Sequence, residues 1–243
     1  QKGIRKYVEK FIKEDYDAFI LLKEVEDPTR FGVAEFDDKG RIIRLIEKPK
    51  IPPSKYALVG VYFFKPVAFD IIEKLKPSWR GELEITDAIQ LMLEYNYKIG
   101  YEILDGWWFD VGKSNDILLV NAKVLDERAK ERIEGEINNS RIEGRVEIDK
   151  DTKIINSIIR GPSVIGKNCI IENSFIGPYT SIGNNSRIIN SCIEYCVILE
   201  NTSIIGIERL EESLVGRNAK ILKNEENRKL IKLNVGDYSE III

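Results

Sequence analysis

Apolar and polar residues are distributed along this chain with two different rhythms. Over residues 2–14 the apolar positions Ile4, Tyr7, Val8, Phe11 and Ile12 follow the i, i+3, i+4, i+7, i+8 spacing of one helical face. Residues 18–25 form a short apolar run, the pattern of a buried strand. Gly32–Phe36 and residues 42–46, joined by Asp37-Asp38-Lys39-Gly40, predict a hairpin. Residues 56–65, with ALVGVYFF near the centre, are continuous enough to predict a strand covered on both faces. Helical spacing returns over 66–76, with Pro66 at a tolerated first position and Phe69, Ile72 and Leu75 along one side. Residues 85–95 predict a helix, 101–104 a strand, and Ser114–Arg128 a helix opened by a capping serine. This alternation predicts a layered α/β domain over residues 1–130.

Residues 131–243 change period. The pair Asn-Ser recurs at Asn139-Ser140, Asn156-Ser157, Asn173-Ser174 and Asn190-Ser191, an unbroken step of 17. Apolar positions follow every five or six residues: Ile158, Val164, Ile170, Ile176, Ile182, Ile188, Ile193, Ile198 and Ile204. Three flats of about six residues per coil is the rhythm of a hexapeptide β-helix, whose coils bury apolar residues by stacking on one another. An ordinary β-sandwich accounts for the alternation but not for the fixed step. After Leu199 the repeat loosens, and residues 206–212, GIERLEE, read as an insertion before Ser213-Leu214-Val215-Gly216 resumes the pattern. A charged loop at 224–229 and an apolar segment at 233–243 follow, the latter expected to close the end of the β-helix.

Composition narrows the chemistry. With 37 basic and 40 acidic side chains the net charge is −3, so nothing suggests a general nucleic-acid surface and no nucleic-acid partner is expected. No window of eighteen apolar residues and no signal-peptide pattern is present, so no membrane partner is expected, and three cysteines without metal spacing fit a reducing cytoplasm. There is no histidine. That excludes Ser-His and Cys-His catalytic pairs and weighs against acyl transfer, for which hexapeptide helices typically supply a histidine base. Any chemistry must run on carboxylates, lysine, arginine or a bound metal.

Four features of the first half share a theme. Phe31-Gly32-Val33 leaves a glycine at a strand start, and Glu47-Lys48-Pro49 puts an acid and a base at a strand end. Arg80-Gly81-Glu82-Leu83-Glu84 precedes the helix at Ile85, and Gly106-Trp107-Trp108-Phe109-Asp110-Val111-Gly112 sets an acid between aromatics and a glycine. Each has a plain structural reading. Glu84, Thr86 and Asp87 suit a helical first turn, Gly32 a bend, Glu47 and Lys48 a solvated strand end, and the tryptophans a core. Gathered at the strand ends of one α/β layer, they match the crevice in which such sheets bind phosphorylated ligands, with Arg80 aimed at a phosphate and Gly81 admitting the backbone.

The motifs FGVAE, EKP, ALVGVY, RGELEITD and W-x-D-x-G closely resemble those of sugar-1-phosphate nucleotidylyltransferases, and RGELEITD those of the glucose-1-phosphate thymidylyltransferases among them. With IRGPSVIG, IGPYTSIG and NVGDYSEI, the second half is similar to the long form of that group. The resemblance implies the C-terminal portion of a Rossmann-like nucleotidyltransferase domain, a mixed sheet with helices, over residues 1–130, then a left-handed parallel β-helix over 131–243. It implies that Gly32 and Gly60 admit the sugar to the backbone and that Glu47 accepts from sugar hydroxyls. Lys48 and Arg80 would contact the sugar phosphate, Asp110 would hold Mg²⁺, and catalysis would rest on Lys48, Arg80 and Asp110. Implied partners are glucose 1-phosphate, dTTP and further copies of the chain in a homo-oligomer. Phe31 stands where many relatives carry tyrosine.

The family also has a glycine-rich strand-to-helix loop for the triphosphate and a further aspartate for the metal; this chain contains neither. It is therefore expected to be an N-terminally truncated part of a thymidylyltransferase, inactive alone. Two alternatives stand beside that: a non-catalytic regulatory or sugar-phosphate-binding subunit, and a nucleotidylyltransferase using another nucleoside triphosphate.

Overall fold

The computed structural model describes residues 3–223, and the chain divides into two compact units, Gln1–Asp110 and Val111–Ile243. Lys2, the charged loop expected at 224–229, and the apolar segment at 233–243 lie outside the described residues.

The first unit runs α1 (Arg5–Lys13), β1 (Ala18–Glu24), β2 (Gly32–Phe36), β3 (Ile42–Glu47), β4 (Tyr56–Phe64), α2 (Val67–Ile72), α3 (Ile85–Glu94) and β5 (Ile99–Ile103). The strands form one sheet in the order β3-β2-β4-β1-β5, in which β1 and β5 are parallel and the other pairs antiparallel. Side-chain alternation sends Ile20, Leu22 and Leu58, with Tyr62 and Phe64, to one face, where Ile89 of α3 packs on them. Phe19, Leu21 and Val59, with Val61 and Phe63, go to the other, under Tyr7 and Phe11 of α1 and Trp108. The continuous apolar run thus lies in a sheet covered on both faces, and each fully buried large side chain contributes roughly 1.5–3 kcal/mol. The helical stripe of α1 is only half used: Ile4 and Ile12 are 55% and 68% exposed while Tyr7 is buried.

The second unit opens with α4 (Ser114–Arg128), so the division falls before this helix and not at residue 130. Ser114 is not its cap. The helix begins at Ser114 itself, and Asp116 accepts from the N–H groups of Gly112 (3.1 Å) and Lys113 (2.8 Å) instead. Asn121 ties α4 to the strands beyond it, donating to the Tyr179 carbonyl (2.9 Å) and accepting from Ser181 Oγ (2.6 Å).

From Arg132 to Leu222 short strands visit three parallel sheets in turn, consistent with the left-handed β-helix expected from the repeat. Lys153 pairs with Ile170, Ile158 with Phe175 and Ser163 with Thr180, each a step of 17. The step is 16 at Ser181–Val197 and Arg187–Ser203 and returns to 17 at Ile193–Leu210. Leu210 and Glu211 therefore fill an ordinary strand position, and residues 206–212 are part of a regular coil, not an insertion. The comb of sixes also slips. Ile158 is 41% exposed while Ile159, Ile165 and Ile171 are fully buried, because a coil of 17 contains one flat of five.

The corners explain the Asn-Ser pairs. Asn139, Asn156, Asn173 and Asn190 take φ between 46° and 49°, a left-handed turn that asparagine tolerates. The following serine points inward: Ser157 Oγ donates to the Ile155 carbonyl (2.7 Å) and accepts from the N–H of Ser174 (3.0 Å) in the next coil. Two cysteines occupy equivalent inner corners. The N–H of Cys169 donates to Thr152 Oγ1 (2.9 Å) and its thiol to the Gly183 carbonyl (3.2 Å), while the Cys196 thiol donates to the Glu194 carbonyl (3.1 Å). Burial pushes the Cys169 thiol up and that of Cys196 up to about 11. They are structural groups in place of hydroxyls.

Candidate active site

β3 is an edge strand, so one side of its backbone needs partners from outside the sheet. α3 supplies them. Gln90 Oε1 accepts from the N–H of Leu45 (2.8 Å), and one turn earlier Thr86 Oγ1 donates to Glu47 Oε2 (2.6 Å). An i, i+4 pair on the helix thus meets an i, i+2 pair on the strand. The approach depends on Gly32, which lies opposite Glu47 in the β2–β3 register. A Cβ there would stand 2.6 Å from Thr86 Oγ1 and 3.0 Å from Glu47 Oε2.

The RGELEITD stretch starts α3 and also builds the site. Glu84 is the N-cap residue, yet its carboxylate makes no cap; it accepts from Ser78 Oγ (3.0 Å) and Arg80 Nη1 (3.1 Å). Arg80 Nη1 also stands 4.0 Å from Glu47 Oε1, and its Nη2 pairs with Glu82 Oε2 at 2.9 Å. A tight turn fixes the arginine: its N–H donates to Ser78 Oγ (3.1 Å), the N–H of Gly81 donates to the Ser78 carbonyl (2.9 Å), and Gly81 takes φ +78°. Asp87, one turn from Glu84, holds its proton more tightly than usual, through burial first and the Glu84 charge second.

Two backbone irregularities flank this cluster. Lys48 follows β3 at φ 43°, unusual for a lysine and the kind of strain that collects at functional sites. Its N–H donates to the Phe31 carbonyl (3.0 Å), and its ammonium enters no ion pair among the described residues. Gly60 takes φ +77° inside β4, where Ile20 pairs with Tyr62 but Leu22 with Leu58, so the strand bulges at a residue that needs no Cβ. Beyond the bulge the Tyr62 hydroxyl is raised in pKa, by burial and then by the Glu47 charge, while a Gly60 backbone contact works against the rise.

Asp110 is exposed at the end of the aromatic segment. That segment is tied to the Gly32 corner by an edge-on contact of Trp108 with Phe31 (centroids 5.2 Å, 69°). Trp108 packs against the apolar cluster under α1, as the structural reading of the tryptophans expects. Mg²⁺ binds through one or two carboxylates together with waters and phosphate oxygens. Asp110 suits one such position, and among the described residues no group of three His, Cys, Asp or Glu side chains gathers to hold an ion.

Of the residues singled out from sequence, Gly32, Glu47 and Arg80 form one contact network, Lys48 adjoins it in the chain, and Gly60 sits apart at the β4 bulge. Asp110 is linked only through its aromatic neighbours. Sequence reasoning missed Thr86 and Glu84 as members of this network. Both had an adequate explanation as helix starters.

A family profile described as nucleotidyl transferase matches residues 1–127. The low-salt glycan biosynthesis nucleotidyltransferase Agl11 of Haloferax volcanii is 47% identical over 61% of this chain and 42% of its own length. A glucose-1-phosphate thymidylyltransferase of Streptomyces antibioticus is 42% identical over 93% of this chain and 64% of its own. The bifunctional protein GlmU of Methanococcus aeolicus is 42% identical over 59% and 34%. The chain thus spans less than two thirds of the length of these relatives. With the profile covering more than half of its residues and the motif-bearing strands and α3 assembled within that span, the chain belongs to the nucleotidyl transferase family.

Proposed function

We propose that this chain carries the sugar-phosphate half of a sugar-1-phosphate nucleotidyltransferase whose complete form converts dTTP and glucose 1-phosphate to dTDP-glucose and pyrophosphate. The observation that carries this reading is the joining of Glu47, Thr86 and Arg80 at the β3 edge, next to Lys48, whose ammonium has no ion-pair partner among the described residues. Glu47 is fixed by Thr86 and keeps acceptor capacity for sugar hydroxyls. The backbone at Gly32 and Gly60 lines the sugar, and Lys48 and Arg80 neutralise its phosphate. A sugar-phosphate oxygen would form the new bond to the nucleotide α-phosphorus as the bond to the pyrophosphate oxygen breaks. Such an in-line displacement asks for alignment and charge neutralisation, not an acid–base pair, and suits a chain without histidine. Mg²⁺ held by Asp110 and phosphate oxygens would supply further neutralisation. The coarser identity, a family nucleotidyl transferase, is supported by the relatives above; dTTP is favoured by the similarity to thymidylyltransferases.

No glycine-rich strand-to-helix turn for a triphosphate occurs in this sequence, so the reading expects pyrophosphate release by the 243-residue chain to stay at background. Turnover at ordinary enzyme rates would contradict it. Lys48→Ala should weaken glucose 1-phosphate binding by about 1.5–3 kcal/mol, measured by titration calorimetry. An unchanged affinity would remove Lys48 from the site.

A further inference from the structure

Arg80 is not a free cation waiting for a ligand. Its Nη1 edge faces inward, to Glu84 at 3.1 Å and Glu47 at 4.0 Å, whereas Nη2 faces Glu82 at 2.9 Å. These partners differ in how firmly they are held. The Glu84 and Glu47 side chains are 10% and 16% exposed, and each accepts a further hydroxyl hydrogen bond, from Ser78 and Thr86. The Glu82 side chain is 58% exposed, and among the described residues its ion pair with Arg80 is the one interaction that ties its carboxylate. Its backbone is held, since the Glu82 carbonyl accepts from the N–H of Ser78 (2.8 Å), so the carboxylate can leave the arginine by side-chain rotation alone.

We infer that Glu82 is an internal competitor for the sugar phosphate: its carboxylate occupies the Nη2 side of Arg80 that the phosphate takes, and must swing into solvent for the ligand to bind. This deepens the reading under Proposed function and rests on its assignment of Arg80 to the phosphate. Carboxylate and phosphate oxygens present the same acceptor geometry to a guanidinium fork, so one replaces the other on the same N–H groups. The exposed acid is the one displaced, because a solvent-screened pair holds weakly while the buried Glu84 and the half-buried Glu47 would be left as unpaired charges. Glu82 thereby sets affinity and specificity. A neutral sugar gains nothing by displacing it, and a phosphorylated one repays the displacement with its own charge.

The test is titration of glucose 1-phosphate and, separately, inorganic phosphate into the 243-residue chain carrying Glu82→Gln or Arg80→Ala. Glu82→Gln changes an exposed side chain and leaves the fold in place, which a circular dichroism spectrum checks. It should tighten both ligands by about two- to fivefold, the range set by losing one screened ion pair. Glu82→Ala should move affinity in the same direction, and Arg80→Ala should weaken binding and abolish the effect of a second substitution at Glu82. If Arg80→Ala weakens binding while Glu82→Gln leaves it unchanged or weaker, the competitor role is wrong and the phosphate assignment stands. No saturable binding by the unsubstituted chain, or binding indifferent to Arg80→Ala, overturns the assignment itself.

Discussion

Gly32→Ala puts one methyl group where the site is tightest. The added Cβ would stand 2.6 Å from Thr86 Oγ1, 3.0 Å from Glu47 Oε2 and 3.3 Å from Thr86 Cγ2. Thr86 is 1% exposed and its helix is pinned to β3 by Gln90, so it cannot swing aside without moving α3. Overpacking of this kind costs about 1–3 kcal/mol, and breaking the 2.6 Å bond to an ionised Glu47 about 1.5–3. One displacement causes both effects, so they overlap and the expected total is about 2–3 kcal/mol. The three tryptophans, Trp79, Trp107 and Trp108, all lie in the first unit, so their fluorescence during urea unfolding reports that unit separately from the β-helix. The midpoint should fall by about 1 M with little change in slope. In a Thr86→Ala background the closest obstruction is gone, and the cost of Gly32→Ala should drop by at least about 1 kcal/mol. A cost below about 0.5 kcal/mol, or the same cost in both backgrounds, would refute the claim that Gly32 exists to admit the Thr86–Glu47 contact.

Two further outcomes follow from the same geometry. The folded state raises the pKa of Asp87, so the stability tied to its protonated form is fully present below its unfolded value of 3.8 and is lost as pH rises through the higher folded value. Asp87→Asn should therefore gain stability relative to the unsubstituted chain between pH 3 and pH 7, read by the same fluorescence; an unchanging difference would contradict it. Ser157→Ala strands the buried N–H of Ser174 and should cost about 1–3 kcal/mol in thermal unfolding followed by far-ultraviolet circular dichroism. Ser213→Ala, at a half-buried corner where the hydroxyl donates to the Glu211 carbonyl, should cost little, and equal effects would deny the ladder its role.

The β-helix was legible because its physics is periodic: a step of 17 with asparagine at left-handed corners states the coil length and where the chain turns. Its finer frame was not. The flats are unequal, so a six-residue comb put Ile158 inside where Ile159 belongs, and residues 206–212 looked inserted although Leu210 pairs in register with Ile193. In the first unit, β2, β3 and β4 follow from their apolar runs, Glu47 and Gly32 from their residue types at strand ends, and Arg80 from its place in the acid-rich turn before α3. Thr86 could not be read as a site residue, because its role needs Gly32 in space and the two lie far apart in the chain. The pairing of Arg80 with three acids was equally hidden, since sequence shows a cation among carboxylates but not which edge of the guanidinium each one takes. Among the described residues no helix is long and apolar enough to cross a membrane.

The most direct measurement is a crystal structure of this chain with α-D-glucose 1-phosphate. The predicted result places the phosphate within hydrogen-bond reach of Lys48 Nζ and Arg80 Nη2, with a sugar hydroxyl on Glu47 and the Glu82 carboxylate turned to solvent. A sugar phosphate bound elsewhere, or bound here with neither Lys48 nor Arg80 touching its phosphate, would contradict the assignment.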